Sequence, residues 1–498
     1  MSKTASSTLI KRPPIIAVMG HIDHGKSTLL DYIRKTNVVE KEFGGITQHI
    51  NAYEVEHKRE SGVVEKITFL DTPGHVAFKA MRSRGAAVAD IAILVVSAED
   101  GVKPQTLEAL NTIVESETPY LVAITKIDKP NANIEKTKQN LAENGIYIEG
   151  YSGNIPSVLI SAKTGENIPE LLEIILLLSD LEDLKGDENA PFEGIIIESS
   201  LDAKKGITAT IVIKNGRLES GMCVVSGKSI CPLKIIEDFT GKKITEATFS
   251  SPVRLVGWSA LPRVGSKVTS CKNKKEAETI AFKNKDESSV VENKIPEGVH
   301  IIPVIIKADV AGVADAISHE VEKLNTDRTC IKIIDIGAGT IADNDAKKAL
   351  PFKGAIILGF NVKVEDRAQD LADRNNIIIK TFNVIYQLTD WLKETIEKQT
   401  PKMEVEEVVG QLKIIKVFSS TKNSQIVGGK VLNGTLSIND NVRIMRADVE
   451  IARGKIEELQ QNKSKTSKIM DGEAGLSISG TSTIIGGDLI ESIVKVIK

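Results

Sequence analysis

Gly20-His21-Ile22-Asp23-His24-Gly25-Lys26-Ser27 is the stretch that decides the first domain of this 498-residue chain. It follows an apolar run over residues 15–19, which reads as a buried strand, and leads through Thr28 into a helical pattern. The pattern G-x-x-x-x-G-K-[ST] between a strand and a helix is a phosphate-binding loop. Its glycines let successive backbone N–H groups turn inward on phosphate oxygens. Lys26 adds a point charge at the β- and γ-phosphates, and the Ser27 hydroxyl is placed to ligate Mg²⁺.

Working outward, apolar runs at 67–70, 91–96, 121–124 and 157–160 alternate with helical patterns as far as residue 178. That rhythm predicts a parallel α/β sheet whose ligand lies beyond the carboxyl ends of the strands. Three further segments fall at those ends. Asp71-Thr72-Pro73-Gly74-His75 offers a carboxylate that can hold Mg²⁺ through water and a glycine N–H open to a γ-phosphate. In Thr125-Lys126-Ile127-Asp128 the carboxylate can accept two hydrogen bonds from guanine N1–H and its 2-amino group, which adenine cannot offer. Ser161-Ala162-Lys163 can lend backbone N–H groups to the base. Five of the seven histidines lie between His21 and His75. His21 and His24 read as loop residues beside phosphates rather than metal ligands, and His49 as structural.

The remaining chain changes rhythm several times. Residues 1–13 carry Lys3, Lys11 and Arg12 with no acid and read as a disordered tail ahead of a nucleotide domain at 14–178. An acidic stretch at 179–190 reads as a linker. Short alternating strands with Gly and Pro turns at 191–283 predict a β-barrel. Within it Asn215-Gly216 and then Leu218 predict a hairpin; Asn433-Gly434 and Leu436 repeat the phrase near the end, suggesting a second barrel of the same kind at 401–498. Between the barrels, a charged linker at 284–298 precedes an α/β/α domain at 299–382. Its strands are expected near 300–307, 330–336, 355–360 and 377–380, and its helices near 313–324, 345–350 and 364–374. A helix at 383–400, with Ile385, Leu388, Leu392 and Ile396 on one side, is expected to act as a rigid connector. The fold class is therefore multidomain α/β plus β.

Composition excludes other classes. Hydrophobic residues make up 41% and charged residues 26%, which rules out a disordered or fibrous chain. No apolar run approaches the ~20 residues needed to span a bilayer. The cysteines Cys223, Cys231, Cys271 and Cys330 are far apart and form no C-x-x-C pair. Net charge is −3, so any RNA must be met through local patches. The expectation is a soluble monomer of a reducing compartment, cytoplasmic or organellar, with no membrane partner.

Taken together, G-H-I-D-H-G-K-S, G-G-I-T-Q-H-I (Gly44 to Ile50), D-T-P-G-H and T-K-I-D resemble a translational GTPase. The domain order resembles bacterial translation initiation factor two from Pro14 to Lys498, nearly the whole chain. Elongation factors would follow the first barrel with another barrel. The archaeal and eukaryotic counterpart adds helices after its last barrel, for which the ten residues after Asp488 leave little room. The resemblance implies GTP and Mg²⁺ as ligands, with Thr47 completing the metal shell. It implies that His75 orients the attacking water behind an apolar gate of Ile22 and Ile46. It further implies a GTPase that works on both ribosomal subunits, promotes initiator tRNA placement and subunit joining, and hydrolyses GTP on the ribosome. The alternative is a GTP-gated binding module with little turnover or no direct formylmethionyl-tRNA recognition. The family's long amino-terminal extension is expected to be missing.

Two departures stand out. The family's Asn in N-K-x-D is Thr125 here, from which weaker affinity but unaltered base choice is expected. In the last barrel the family reads initiator tRNA with a Gly-Cys pair, a Glu-Cys-Gly turn and an Arg-Phe-Lys stretch. This chain has Gly428-Gly429, Glu473-Ala474-Gly475 and Gln461-Asn462-Lys463. The neighbouring Lys463, Lys465 and Lys468 are candidates for RNA contact.

Overall fold

The computed structural model describes residues 9–35, 47–151, 153–271, 273–283, 300–326, 328–399, 404–421, 424–461, 464–480 and 484–497. It divides into two compact units, Met1–Lys398 and Gln399–Lys498. In the first unit a six-stranded sheet runs in the order Asn51–Lys58, Val64–Asp71, Ile15–Gly20, Ile91–Ser97, Tyr120–Thr125, Ser157–Leu159. All neighbours are parallel except the first pair. The central strands are apolar on both faces because both are covered. Ile16 and Val18 face one cluster with Leu29, Leu30 and Ile175, whereas Ala17 and Met19 face another with Ala109 and Ile113. The edge strand Asn51–Lys58, not expected from the sequence, alternates more weakly and buries Tyr53. Parallel pairing brings Gly20, Asp71, Ser97 and Thr125 to one rim, which is where the site lies.

The amino-terminal expectation needs correction. Ile10–Lys11 pairs with Lys185–Gly186, so residues 9–13 are part of the fold. Lys11 meets Glu65 and Asp180, and Arg12 meets Asp90 at 2.6 Å. Asp90 also receives Lys214 of the barrel at 3.0 Å and the Ile15 N–H at 2.9 Å. Arg12, Lys214 and that N–H hold the Asp90 carboxyl below its ordinary range against the opposing effect of burial. Ion-pair partners distant in sequence are what the local pattern could not show. The expected linker at 179–190 is likewise largely structured, by the end of the helix Ile168–Leu181 and by Lys185–Gly186. Residues 1–8 lie outside the described residues.

The barrel is an eight-stranded sheet with a core built on Phe192, Ile211, Val224, Leu255 and Val268. Its last element is a helix, Lys274–Lys283, rather than another strand. The expected linker at 284–298 lies outside the described residues. Asn215-Gly216 does not close a hairpin. Gly206–Asn215 pairs with Glu193–Asp202 and Pro252–Val256, and after the glycine Arg217–Glu219 leaves to pair with Glu246–Thr248. Asn433-Gly434 is the same corner. Ser424–Gly434 pairs with Glu404–Ser420 and Glu473–Ser479, and Leu436–Ser437 then pairs with Lys468–Ile469. In both corners glycine takes a φ near +70° and lies against another segment's backbone, the loop Ala190–Phe192 in one and the strand residues Val409–Gly410 in the other. Leu218 and Leu436 then bury completely. The repeated phrase thus encodes a repeated corner.

A four-stranded parallel sheet follows, in the order Thr329–Ala338, His300–Ala308, Ile356–Phe360, Ile378–Phe382, with helices Ala311–Glu322, Asp343–Ala349 and Asp366–Arg374. The helix Ile385–Gln399 is more than a connector. Ile385, Leu388, Leu392 and Ile396 are buried in the same cluster as Val304, Ile306 and Phe360. That cluster runs on into Leu70, Ala77, Phe78 and Met81 of the nucleotide domain. Polar contacts ring it: His49 to Asp309 at 3.3 Å, Arg84 to Asp315 at 2.8 Å, and the Gly312 N–H to Glu198 of the barrel at 3.1 Å.

The second unit is a seven-stranded antiparallel sheet around Leu412, Val427, Ile444, Leu476 and Ile490. No helix among the described residues is long and apolar enough to cross a membrane.

Replacing Arg12 tests the amino-terminal anchor. Arg12→Ala removes a charged pair that is barely exposed, and Lys214 compensates only in part. We expect about 1.5–3 kcal/mol of destabilisation, read as a lower urea midpoint. An unchanged midpoint would show that residues 9–13 contribute nothing to stability.

Candidate functional site

A cleft of about 360 Å³ opens along the rim of the six-stranded sheet. It is lined by Ile22, Asp23, Gly25, Lys26, Ser27, Thr28, Thr47, Gly74, His75, Thr125, Lys126, Asp128, Ala162 and Lys163, all singled out from sequence, and by Lys129, which was not. Gly20, His21, His24, Asp71, Thr72, Pro73, Ile127 and Ser161 do not line it directly. Ile46 lies outside the described residues, so of the expected gate only Ile22 is placed.

At one end, Lys26 begins the helix Lys26–Arg34 and folds back over its own loop, donating to the carbonyls of Gly20 at 3.0 Å and His21 at 2.6 Å. Burial, opposed by Asp71, lowers its pKa to about 8. Gly74 lies so close that a Cβ there would stand 2.6 Å from Lys26 Nζ and 3.2 Å from the Ile22 nitrogen, so a side chain would crowd the loop at this end of the cleft. Ser27 Oγ and Thr47 Oγ1 are 2.8 Å apart, and Thr47 Oγ1 donates to Asp71 Oδ2 at 3.4 Å. Two hydroxyls and a carboxylate in one place form a hard oxygen set of the kind Mg²⁺ takes.

His24 turns away from the cleft. Its Nδ1 lies 3.4 Å from the Val95 carbonyl, its ring meets His21 edge-on at 4.8 Å, and burial lowers its pKa to about 3. No cluster of His, Cys, Asp or Glu fit to hold a metal occurs among the described residues. His49, expected to be structural, reaches Asp309 of the α/β/α domain.

The opposite end suits a base. Asp128 is exposed and accepts from Ser161 Oγ at 2.7 Å, a bond that lowers its pKa and aims the carboxylate. Thr125 is 1% exposed, and its hydroxyl donates to the His24 carbonyl at 2.5 Å. This one bond ties the base-binding strand to the phosphate loop.

Between the ends lies the D-T-P-G-H segment. Thr72 Oγ1 donates to the Val18 carbonyl at 2.7 Å. Arg82, 1% exposed, donates to the carbonyls of Pro73 and His75 and pairs with Glu108 at 2.6 Å. The sequence reading missed Arg82, whose only signal was a cation set between the apolar Met81 and Gly85-Ala86. His75 Nδ1 accepts the Ala77 N–H at 2.8 Å, and burial lowers the ring's pKa. The ring is therefore neutral at pH 7 with its proton on Nε2.

Comparison with known proteins follows the same lines. Residues 11–180 match the model of the elongation factor Tu GTP binding domain, 191–271 that of elongation factor G domain 2, and 276–393 that of translation-initiation factor 2. Translation initiation factor IF-2 of Halothermothrix orenii is 41% identical over 97% of this chain and 71% of its own length. That of Dehalococcoides mccartyi is 39% identical over 98% and 83%. The crystal structure of GDP-bound aIF5B from Aeropyrum pernix is 26% identical, covers 97% of this chain and 92% of its own, and superposes with a TM-score of 0.48.

The Thr125 hydroxyl gives a direct test of the nucleotide site. Thr125→Ala leaves the buried His24 carbonyl without that donor and loosens the phosphate loop. GDP affinity should fall about five- to tenfold, the equivalent of ~1–1.5 kcal/mol, with preference over ADP retained. Titration calorimetry with both nucleotides checks it, and affinity equal to wild type would show that the hydroxyl does not brace the loop.

Proposed function

We infer the following role for a chain that belongs to the translation initiation factor IF-2 family. It is a guanine-nucleotide-binding GTPase of translation initiation. We propose that it acts on both ribosomal subunits, promotes initiator tRNA placement and subunit joining, and hydrolyses GTP there. The observation that carries this reading is the convergence of Lys26, Ser27, Thr47, Gly74 and Asp128 on a single cleft, with His75 at its border.

In this reading the loop N–H groups and Lys26 hold the phosphates, Gly74 admits the γ-phosphate, and Asp128 selects guanine. Ser27 and Thr47 would ligate Mg²⁺ directly and Asp71 through water; the ion, when bound, neutralises charge on the β- and γ-oxygens. His75 then orients the attacking water. With its proton on Nε2 and Nδ1 engaged by Ala77, the ring donates to water and does not act as a base. Phosphoryl transfer through a loose transition state needs alignment and electrostatics more than proton abstraction.

The second unit's part in initiator tRNA binding rests on strand register. Gly428 pairs with Gly475, and Gly429 with Ala474, so the residues at the family's cysteine positions are neighbours. Phe418 covers Gly428 and carries Lys416 over its ring at 5.9 Å, supplying an aromatic that the sequence pattern lacked. Lys465 pairs with Glu458 at 2.7 Å, both side chains being exposed, and Asn462 and Lys463 lie outside the described residues. We propose that the tRNA acceptor end meets Phe418–Gly428, with Lys463, Lys465 and Lys468 kept as candidates for RNA contact.

Two measurements test this function. His75→Ala should keep GTP affinity and lose ribosome-stimulated turnover by ~10²–10³-fold; turnover at the wild-type rate removes His75 from the reaction. For the second unit, binding of formylated and unformylated initiator tRNA to the full chain should differ, with the difference surviving a rise in salt. Binding that is equal for both and disappears with salt would leave only phosphate contacts and withdraw initiator selection.

A further inference from the structure

His75 borders the cleft, yet its ring is 8% exposed and its Nε2 is buried with no hydrogen-bond partner among the described residues. A group that orients water must present that nitrogen to water. In this structure the ring is instead held between aromatic side chains. Phe78 meets it edge-on at 5.9 Å, and Tyr386 meets it edge-on at 4.2 Å with an interplanar angle of 66°. Phe78 belongs to the same short turn and moves with His75. Tyr386 comes from the first turn of the helix Ile385–Gln399, which is packed into the core of the α/β/α domain.

Two further observations set Tyr386 apart from ordinary core packing. It is 48% exposed, while its neighbours Ile385 and Leu388 anchor the helix by burying completely or nearly so. The helix would keep its seat without the tyrosine ring. Just before it, the Asn383 carbonyl accepts from Gln48 Nε2 at 3.2 Å, so one short stretch touches both the Thr47 and the His75 segments.

We propose that Tyr386 is a positioning residue for GTP hydrolysis. Its ring keeps the His75 imidazole packed away from water, and the start of this helix must part from His75 before Nε2 can face the attacking water. The inference rests on the reading of His75 as the water-orienting group. An edge-on aromatic pair biases a conformational equilibrium by a modest factor, so loss of the ring should raise the exposed population by roughly two- to tenfold.

The test uses the full chain without ribosomes, comparing wild type, Tyr386→Ala, Tyr386→Phe, His75→Ala and the Tyr386→Ala/His75→Ala double variant, with GDP binding as a check on folding. We expect Tyr386→Ala to raise kcat for GTP about two- to tenfold at unchanged KM, Tyr386→Phe to match wild type, and the double variant to show no gain. A Tyr386→Ala rate at or below wild type with GDP binding intact overturns the proposal, as does a gain that persists without His75. Should Tyr386→Ala fail to bind GDP, Tyr386→Leu, which fills the space without an aromatic ring, is judged by the same criteria. His75→Ala with ribosomes separates the two ideas. If stimulation is lost there while Tyr386→Ala shows no gain, only the Tyr386 proposal fails; if stimulation is retained, the His75 reading fails first.

Discussion

Arg82 is buried to 1% exposure, and burying a guanidinium is costly unless its charge is paired and hydrogen-bonded. Its two terminal nitrogens are engaged, one by the carbonyls of Pro73 and His75 and the other by the Glu108 carboxylate, while Nε has no partner among the described residues. The consequence is geometric. The backbone on either side of Gly74 is fixed against the helix Lys79–Val88, which places the Gly74 backbone beside Lys26 and the His75 ring at the edge of the cleft. The same helix meets the α/β/α domain through Met81 and Arg84, so the segment that faces the terminal phosphate is also an interdomain contact. A shift at either side is felt at the other, because close-packed elements transmit displacement rather than absorb it.

What was legible in the sequence follows from the range of the forces involved. The phosphate loop, D-T-P-G-H and T-K-I-D were readable because each depends on backbone conformation and on a few adjacent side chains. Parallel pairing then brings their strand ends together without further information. The helix Ile385–Gln399 was readable from its apolar side, since 3.6-residue periodicity is local. The role of Tyr386 was not, because its partner His75 belongs to a different domain and no local pattern links the two. Arg12 and Asp90 are hidden because 78 residues of chain separate them. The Asn-Gly corners show a subtler limit. The sequence does specify a left-handed glycine, but whether the next strand returns to its predecessor or leaves for another depends on what crosses behind it. Here the backbone of Ala190–Phe192 and of Val409–Gly410 lies against the two glycines and leaves no room for a side chain at either corner.

The replacement of asparagine by Thr125 shows how a departure from a family pattern is to be weighed against structure. An amide could brace the phosphate loop and touch the base together; a hydroxyl can do one of these. The 2.5 Å bond to the His24 carbonyl assigns it to the loop. In the proposed reading, selection of guanine is left to Asp128, which is aimed by Ser161 rather than by residue 125. The two tasks are therefore separable here, and affinity can change without base choice changing with it.

The second unit applies the same logic to a harder case. At its paired Gly428–Gly475 and Gly429–Ala474 positions the side chains are minimal, so the strands themselves can offer little specific chemistry. If this face takes tRNA as proposed, its affinity would come from a neighbour that projects over it, and Phe418, 65% exposed, lies over Gly428. An aromatic face flanked by Lys416 suits an acyl or base group joined to a phosphate chain, with stacking giving contact area and the cation giving attraction. In the proposed reading, a surface that the family lines with cysteines carries Gly429 and Ala474 beside an aromatic here, which exchanges side-chain contacts for access. Selectivity proposed for this face would then rest on shape and stacking against Phe418, because neither Gly429 nor Ala474 has a polar side chain.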